Sequence, residues 1–268
     1  MMVNNVTRET LPVILEVSGL SKTFGGVKAT DNVSFSVRDG AITALIGPNG
    51  AGKTTLFNLI TNIFPADSGG VSFLGKSIRG TSPMNVAGLG LIRTFQSARV
   101  FPGLTVLENV LAGRHRLFKC SGLSQMLWTS KSRAEERESR ERAVAMLELV
   151  GLSKFRDAHA VDLPMGAQKL LEVVRALMSQ PKLLCLDEPA AGLNDTETEE
   201  LAVLLRAIRV AGISVLVVEH NMSLVMNVAD HVVVVDAGAV IAAGPPAEVQ
   251  SNAKVIEAYL GREENAAA

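Results

Sequence analysis

The sequence predicts an α/β protein, with helices packed on a parallel sheet and a helical block interrupting it. Three observations lead there. After residue 163, helical periodicity at residues 169–178 and 196–210 alternates with apolar runs at 183–186 and 214–218. Residues 47–54 read Gly47-Pro48-Asn49-Gly50-Ala51-Gly52-Lys53-Thr54, the phosphate-binding pattern G-x-x-x-x-G-K-[ST] without a mismatch. That loop stands between a strand-like run at 41–46 and a helical run at 55–60, the context the pattern requires.

The elements follow in chain order. Residues 1–10 are polar and read as a loose extension without a secretion signal. Residues 13–17 and 33–37 read as short strands, the second followed by the turn Arg38-Asp39-Gly40. Val71-Ser72-Phe73-Leu74-Gly75 reads as another strand and turn. From about residue 97 the character changes, with helical periodicity at 106–117 and 134–150. Residues 131–142 mix both signs of charge, which marks a solvated helix face rather than a nucleic-acid surface.

Composition bounds the function. The chain has 268 residues, 47% of them hydrophobic, enough for a substantial core in one large domain or two joined ones. Its 26 basic and 27 acidic residues leave a formal charge of −1, which argues against a general nucleic-acid-binding surface. Cys120 and Cys185 lie far apart and imply neither a disulfide framework nor a zinc site. The longest apolar runs end quickly in Glu219 and Asp236, so no transmembrane span is expected.

The phosphate loop carries defined chemistry. Its glycines let backbone N–H groups turn toward phosphate oxygens. Lys53 reaches the β- and γ-phosphates, the Thr54 hydroxyl ligates Mg²⁺, and Thr55 opens a helix whose N-terminal dipole favours the anion. Residues 182–188, Lys182-Leu183-Leu184-Cys185-Leu186-Asp187-Glu188, are an apolar strand ending in two carboxylates, a Walker B pattern. Asp187 is placed to hold the metal and Glu188, one residue on, to polarise an attacking water.

With these residues in hand, the chain from about residue 15 to 261 resembles the ATP-binding subunits of ABC transporters. The resemblance implies a P-loop NTPase with a RecA-like core, an antiparallel β subdomain and an inserted α-helical subdomain. It divides the chain into an extension (1–10), the β subdomain with the first part of the core (11–96), the helical subdomain (97–162), the signature helix with the second part of the core (163–250), and a C-terminal helix and tail (251–268). Thr94-Phe95-Gln96 matches the Q-loop, where Gln96 would sense Mg²⁺ and couple to a membrane partner. His220 follows an apolar strand as the switch histidine does, and Phe24 stands where the family stacks an aromatic on adenine.

Two motifs depart from the family pattern. The signature reads Leu163-Pro164-Met165-Gly166-Ala167, so Pro164 replaces the serine whose hydroxyl touches the γ-phosphate bound to the partner subunit. Proline has neither that hydroxyl nor an N–H. Two readings stand: a composite site weakened on this side, or a subfamily that accommodates proline. The D-loop reads Ala190-Ala191-Gly192-Leu193-Asn194, with Asn194 in place of aspartate. Ala-Gly-Leu-Asn, the stretch 92–96, the stretch 101–110 and the ending 255–261 are similar to ATPases of branched-chain amino-acid importers of the LivG type.

The resemblance therefore implies an ATP hydrolase using ATP and Mg²⁺, peripheral on the cytoplasmic face of the inner or plasma membrane. Its partners would be two permease subunits, a second ABC ATPase, in a heterodimer as the subfamily suggests or in a homodimer, and indirectly an extracytoplasmic solute-binding protein, with no nucleic acid. A lipopolysaccharide-exporter ATPase and a soluble, non-transport ABC ATPase are the competing classes. His115, His159 and His231 lack ligand partners at useful spacing, and Met126 and Trp128 read as packing residues.

Overall fold

The computed structural model describes residues 11–94, 99–118 and 129–266. Strands β1 (Val13–Phe24) and β2 (Val27–Arg38) form a hairpin turning at Gly25 and Gly26, both with positive φ. Each is longer than the sequence expectation, because Gly19 and Asn32 bend the strands at positive φ while pairing continues. Strand β3 (Ile42–Ile46) is buried throughout and delivers the chain into the phosphate loop and helix α1 (Lys53–Ile60). Then come β4 (Ser68–Phe73), β5 (Lys76–Ser77), α2 (Pro83–Leu89) and β6 (Leu91–Arg93). Helix α2 is capped by Ser82, opens on Pro83 and ends at Gly90 with φ 104°.

Helices α3 (Val106–Ala112), α4 (Ser130–Leu149) and α5 (Met165–Met178) follow. Thr105 and Glu108 close α3 with a reciprocal capping box. The expected helix over 106–117 ends at Ala112 and resumes as a tight turn at His115–Leu117. Helix α5 starts at Met165, ahead of the expected start near 168, because Pro164 supplies a preset φ of −54° at the cap. The remaining elements are β7 (Leu183–Asp187), α6 (Asp195–Val210), β8 (Ser214–Val218), α7 (Met222–Val228), β9 (His231–Asp236), β10 (Ala239–Gly244), α8 (Pro246–Gln250) and α9 (Ala253–Ala266).

The chain divides into two compact units. The first comprises residues 1–93, 182–191 and 202–268. Among its described residues, an antiparallel sheet runs in the order β2-β1-β4-β5 and a second in the order β10-β9-β3-β8-β7-β6. In the second sheet only β10 is antiparallel to its neighbour, and β3, β7 and β8 are buried along their whole length. One apolar cluster joins Leu15, Val17 and Phe73 of the first sheet, Leu56 and Phe57 of α1, and Leu45, Cys185, Leu216 and Val233 of the second. Helix α1 is thus gripped through its apolar face, fixing the loop before it.

The second unit comprises residues 94–181 and 192–201. Helix α3 packs on α4 and α5, and Val106, Val110, Ala143, Leu147 and Val174 of these helices are buried. The charged run of α4 is a mostly exposed face, where Arg114 reaches Glu138 at 2.7 Å. Arg175 of α5 donates to the Arg99 carbonyl at 2.6 Å and stacks over the Phe101 ring at 4.9 Å.

Candidate functional site

In the first unit, the phosphate loop is shaped by what surrounds it. A Cβ on Gly47 would lie 2.0 Å from the Val235 carbonyl oxygen, and one on Gly52 would lie 2.2 Å from that of Ala29. No side chain larger than hydrogen fits either place without moving backbone. The Gly238 N–H donates to the Ala51 carbonyl at 3.1 Å, so the β9–β10 turn also braces the loop. Lys53 is buried, and its Nζ donates to the carbonyls of Gly47 at 2.7 Å and Pro48 at 3.0 Å. The first turn of α1 carries no side-chain cap and no acidic residue, which leaves its N–H groups and dipole to an anion. Asn49, Gly50 and Thr54 are exposed along this rim, and Thr55 is half-buried.

Asp187 ends β7 and Glu188 opens the turn that follows. Asp187 is 4% exposed and accepts from Arg93 Nη2 at 2.7 Å. The same guanidinium donates to Asn58 Oδ1 at 2.6 Å and Thr61 Oγ1 at 3.0 Å and lies over the Phe57 ring at 4.7 Å. Burial pushes the Asp187 carboxyl above the usual aspartate range; Arg93 opposes that and Glu188 adds to it. Glu188 takes a left-handed backbone, φ 47°, rare for a residue with a side chain and common at functional turns. Its Oε2 lies 3.9 Å from Nδ1 of His220, too far for a direct hydrogen bond and close enough for one water to bridge. The His220 side chain is 56% exposed.

Phe24 stands at the tip of β1, 45% exposed. Phe64 meets it edge-on with centroids 6.1 Å apart, and Lys22 Nζ lies 5.5 Å from its ring. Lys22 is pinned by Asp67 at 2.7 Å, and Asp67 also accepts from the Thr23 N–H at 2.8 Å. Those two contacts hold the Asp67 carboxyl below its ordinary value.

The donors on hand for a divalent cation are oxygens, the Asp187 carboxylate and the exposed Thr54 hydroxyl. Among the described residues no cluster of three or more His, Cys, Asp or Glu could cage a metal alone. Few hard-oxygen ligands suit Mg²⁺, which keeps several waters and takes phosphate oxygens as partners. Gln96, the third expected ligand, lies outside the described residues.

In the second unit, Pro164 caps α5 and is exposed, Leu163 and Gly166 are buried, Met165 is 62% exposed and Ala167 is half-buried. The Gln168 side chain donates back to the Leu163 carbonyl at 2.9 Å. Asn194, beside half-buried Leu193, exchanges reciprocal bonds of 3.0 Å with Glu197. Its departure from aspartate therefore keeps a working helix cap on α6. Glu197 also closes on Gly166, where an added Cβ would come within 2.3 Å of its Oε1. One side chain thus ties the signature stretch to the D-loop stretch.

Sequence reasoning missed Arg93, Glu197, Phe64 and Glu219. The Asn194-x-x-Glu197 spacing is a legible capping signal. Arg93 gives no such signal, since its partner Asp187 lies far along the chain.

A phosphate loop at a strand-to-helix turn, with an apolar strand ending in two carboxylates beside it, defines a nucleotide-binding cassette. Residues 30–191 match the ABC transporter family and residues 239–265 that of branched-chain amino acid ATP-binding cassette transporters. The chain belongs to the ABC transporter family, as one of its ATP-hydrolysing subunits. It is 42% identical over 249 residues to the high-affinity branched-chain amino acid transport ATP-binding protein BraF of Pseudomonas aeruginosa, covering 92% of this chain and 98% of that one. It is 41% identical, with the same coverage, to the corresponding protein LivG of Salmonella typhimurium. Among solved structures, the ADP conformation of an ATP-binding cassette of an ABC transporter aligns with a TM-score of 0.79 at 37% identity, covering 93% of this chain and 99% of that one. A nucleotide-free cassette aligns with a TM-score of 0.78 at 37% identity, over 92% and 99%. Among the described residues no helix is long and apolar enough to cross a membrane.

Proposed function

We propose that this chain is the ATPase that powers uptake of branched-chain or related hydrophobic amino acids or their amides. The observation that carries the ATPase chemistry is the gathering, in one unit, of the phosphate loop, Asp187, Glu188 and His220. The solute class is supported by the match at residues 239–265 and by the amino-acid transport relatives.

The residues divide the work as follows. Gly47, Pro48, Asn49, Gly50, Ala51 and Gly52 present main-chain N–H groups to the phosphates, and Lys53, released from its carbonyl partners, takes up their charge. Thr54, Asp187 and Gln96 would hold Mg²⁺, which would supply positive charge to offset that of the phosphates. Glu188 accepts a proton from the attacking water, and His220 orients that water against the γ-phosphate. Phe24 stacks on adenine. The first-turn N–H groups of α5, behind Pro164, face the nucleotide held by a partner ATPase.

The working assembly is a pair of ATPases, this chain with a related one, seated on two permease subunits at the cytoplasmic face of the membrane and served indirectly by an extracytoplasmic solute-binding protein. Phe101, 47% exposed and held by the Arg175 stack, is the apolar residue offered to a permease. A pull-down from gently solubilised membranes tests this. Two permeases and a second ATPase are the expected companions; recovery of soluble proteins or nucleic acid alone would sink the transport reading. Glu188→Gln should accumulate an ATP-bound dimer, and undiminished turnover would remove Glu188 as the base.

A further inference from the structure

Glu219, the residue before His220, is wholly buried. Its carboxylate collects three main-chain N–H donors. Oε1 accepts from Ala190 at 2.7 Å, and Oε2 accepts from His220 at 3.1 Å and Asn221 at 3.2 Å. Ala190 lies two residues past Glu188, in the turn that leaves β7. His220 and Asn221 form the turn that leaves β8, where Asn221 caps α7 by accepting from the Leu224 N–H at 3.0 Å. The two strands are in register as far as Asp187 opposite Val218, and their last main-chain link is the Glu188 N–H to the Val218 carbonyl at 2.9 Å. Past that point the Glu219 N–H turns to the Leu45 carbonyl of β3 at 3.3 Å, and it is the Glu219 side chain that joins the turn after β7 to the turn after β8.

We infer that Glu219 is a positioning residue for ATP hydrolysis, setting the separation of Glu188 and His220 by carrying both turns on one buried carboxylate. The inference rests on the roles given above to those two residues. The chemistry specifies glutamate. A carboxylate offers acceptors on both oxygens, whereas glutamine offers one acceptor and an NH₂ that would face an N–H donor. Glu219→Gln therefore releases one turn whichever way its amide is oriented, with little change in side-chain volume. A displacement of about 1 Å between reacting groups can cost on the order of a hundredfold in rate.

The test is steady-state ATPase activity of the full-length chain. Glu219→Gln should lower kcat by about tenfold to a hundredfold and leave KM for ATP within about twofold. In a His220→Ala background the same change should alter kcat by less than about threefold, because the group it positions is gone. Val217→Ala, a buried truncation in β8 that touches none of the three N–H groups, should lower the melting temperature and leave kcat within about twofold. Unchanged kcat in Glu219→Gln, KM rising in step with falling kcat, an equal loss in Val217→Ala, or a full multiplicative effect in the double variant would each overturn the inference. If His220→Ala itself leaves kcat intact, the site reading fails and takes this inference with it. A loss in His220→Ala without one in Glu219→Gln sinks the inference alone. Should Glu219→Gln not fold, hydrogen exchange on the unaltered protein decides. The amides of Ala190, His220 and Asn221 should share one protection factor, and Ala190 exchanging about a hundredfold faster than the other two would overturn the assignment.

Discussion

Truncating Arg93 to alanine should destabilise the protein by about 3–5 kcal/mol, the usual cost of stripping one partner from a buried ion pair. The geometry places it in that range. The Arg93 side chain is 11% exposed and that of Asp187 4%, and they meet at 2.7 Å. The guanidinium also bridges α1 through Asn58 and Thr61 and covers the Phe57 ring, so its loss strands a carboxylate and opens the base of that helix. At a urea slope of about 3 kcal/mol per molar, the unfolding midpoint should fall by roughly 1–2 M. Arg93→Lys keeps the charge but not the fork, and should recover about half. The pH dependence has a definite sign. Burial raises the Asp187 pKa above its unfolded value, so protonating it favours the folded state and its penalty grows as pH rises through the raised pKa. The deficit of Arg93→Ala should therefore shrink as pH is lowered toward that of a neutral carboxyl. The double variant Arg93→Met, Asp187→Leu removes both charges and should regain most of the stability while losing ATPase activity. A loss below about 1 kcal/mol in Arg93→Ala, or a double variant no more stable than the single one, would refute the account.

Other outcomes follow from the same contacts. Phe24→Ala should weaken ATP binding by about 1–3 kcal/mol with little loss of fold stability, since the ring is half-exposed; titration with a fluorescent nucleotide checks it, and unchanged affinity would remove the stacking role. Gly47→Ala should abolish nucleotide binding, because its Cβ would meet the Val235 carbonyl oxygen at 2.0 Å; retained binding in the same titration would show that the loop yields. Cys185 is wholly buried and burial pushes its thiol up to about 12, so alkylation at pH 8 followed by peptide mapping should find it unmodified in the folded protein. The Asp67 carboxyl should titrate by NMR below the ordinary aspartate range, and Lys22→Met should bring it back toward that range.

What the sequence disclosed was chemistry held within short spans. The phosphate loop, the apolar strand before Asp187 and the strand before His220 each occupy a handful of adjacent residues whose order dictates their conformation. Helix α2 and strand β10 carried readable signals too, Ser82-Pro83 with Gly90 and the turn Ala237-Gly238, which only a finer local reading would use. Arg93 and Glu219 belong to another category. Each acts through a partner brought near only when β7 pairs with β6 and β8, and two of the three groups that face Glu219 are backbone amides of its own turn. No residue pattern encodes an amide, so such contacts become visible only in three dimensions.

The bracing of the phosphate loop has a thermodynamic consequence. Val235 and Gly238 press on it from one side and Ala29 from another, so its curvature is set by residues distant from it in sequence. A loop already curved to fit surrenders little conformational freedom when ATP arrives. Binding should then show a small entropic penalty from the loop itself. Substitutions in the β9–β10 hairpin, which touch no phosphate, should surface as affinity changes carried mainly in ΔS, readable by calorimetry.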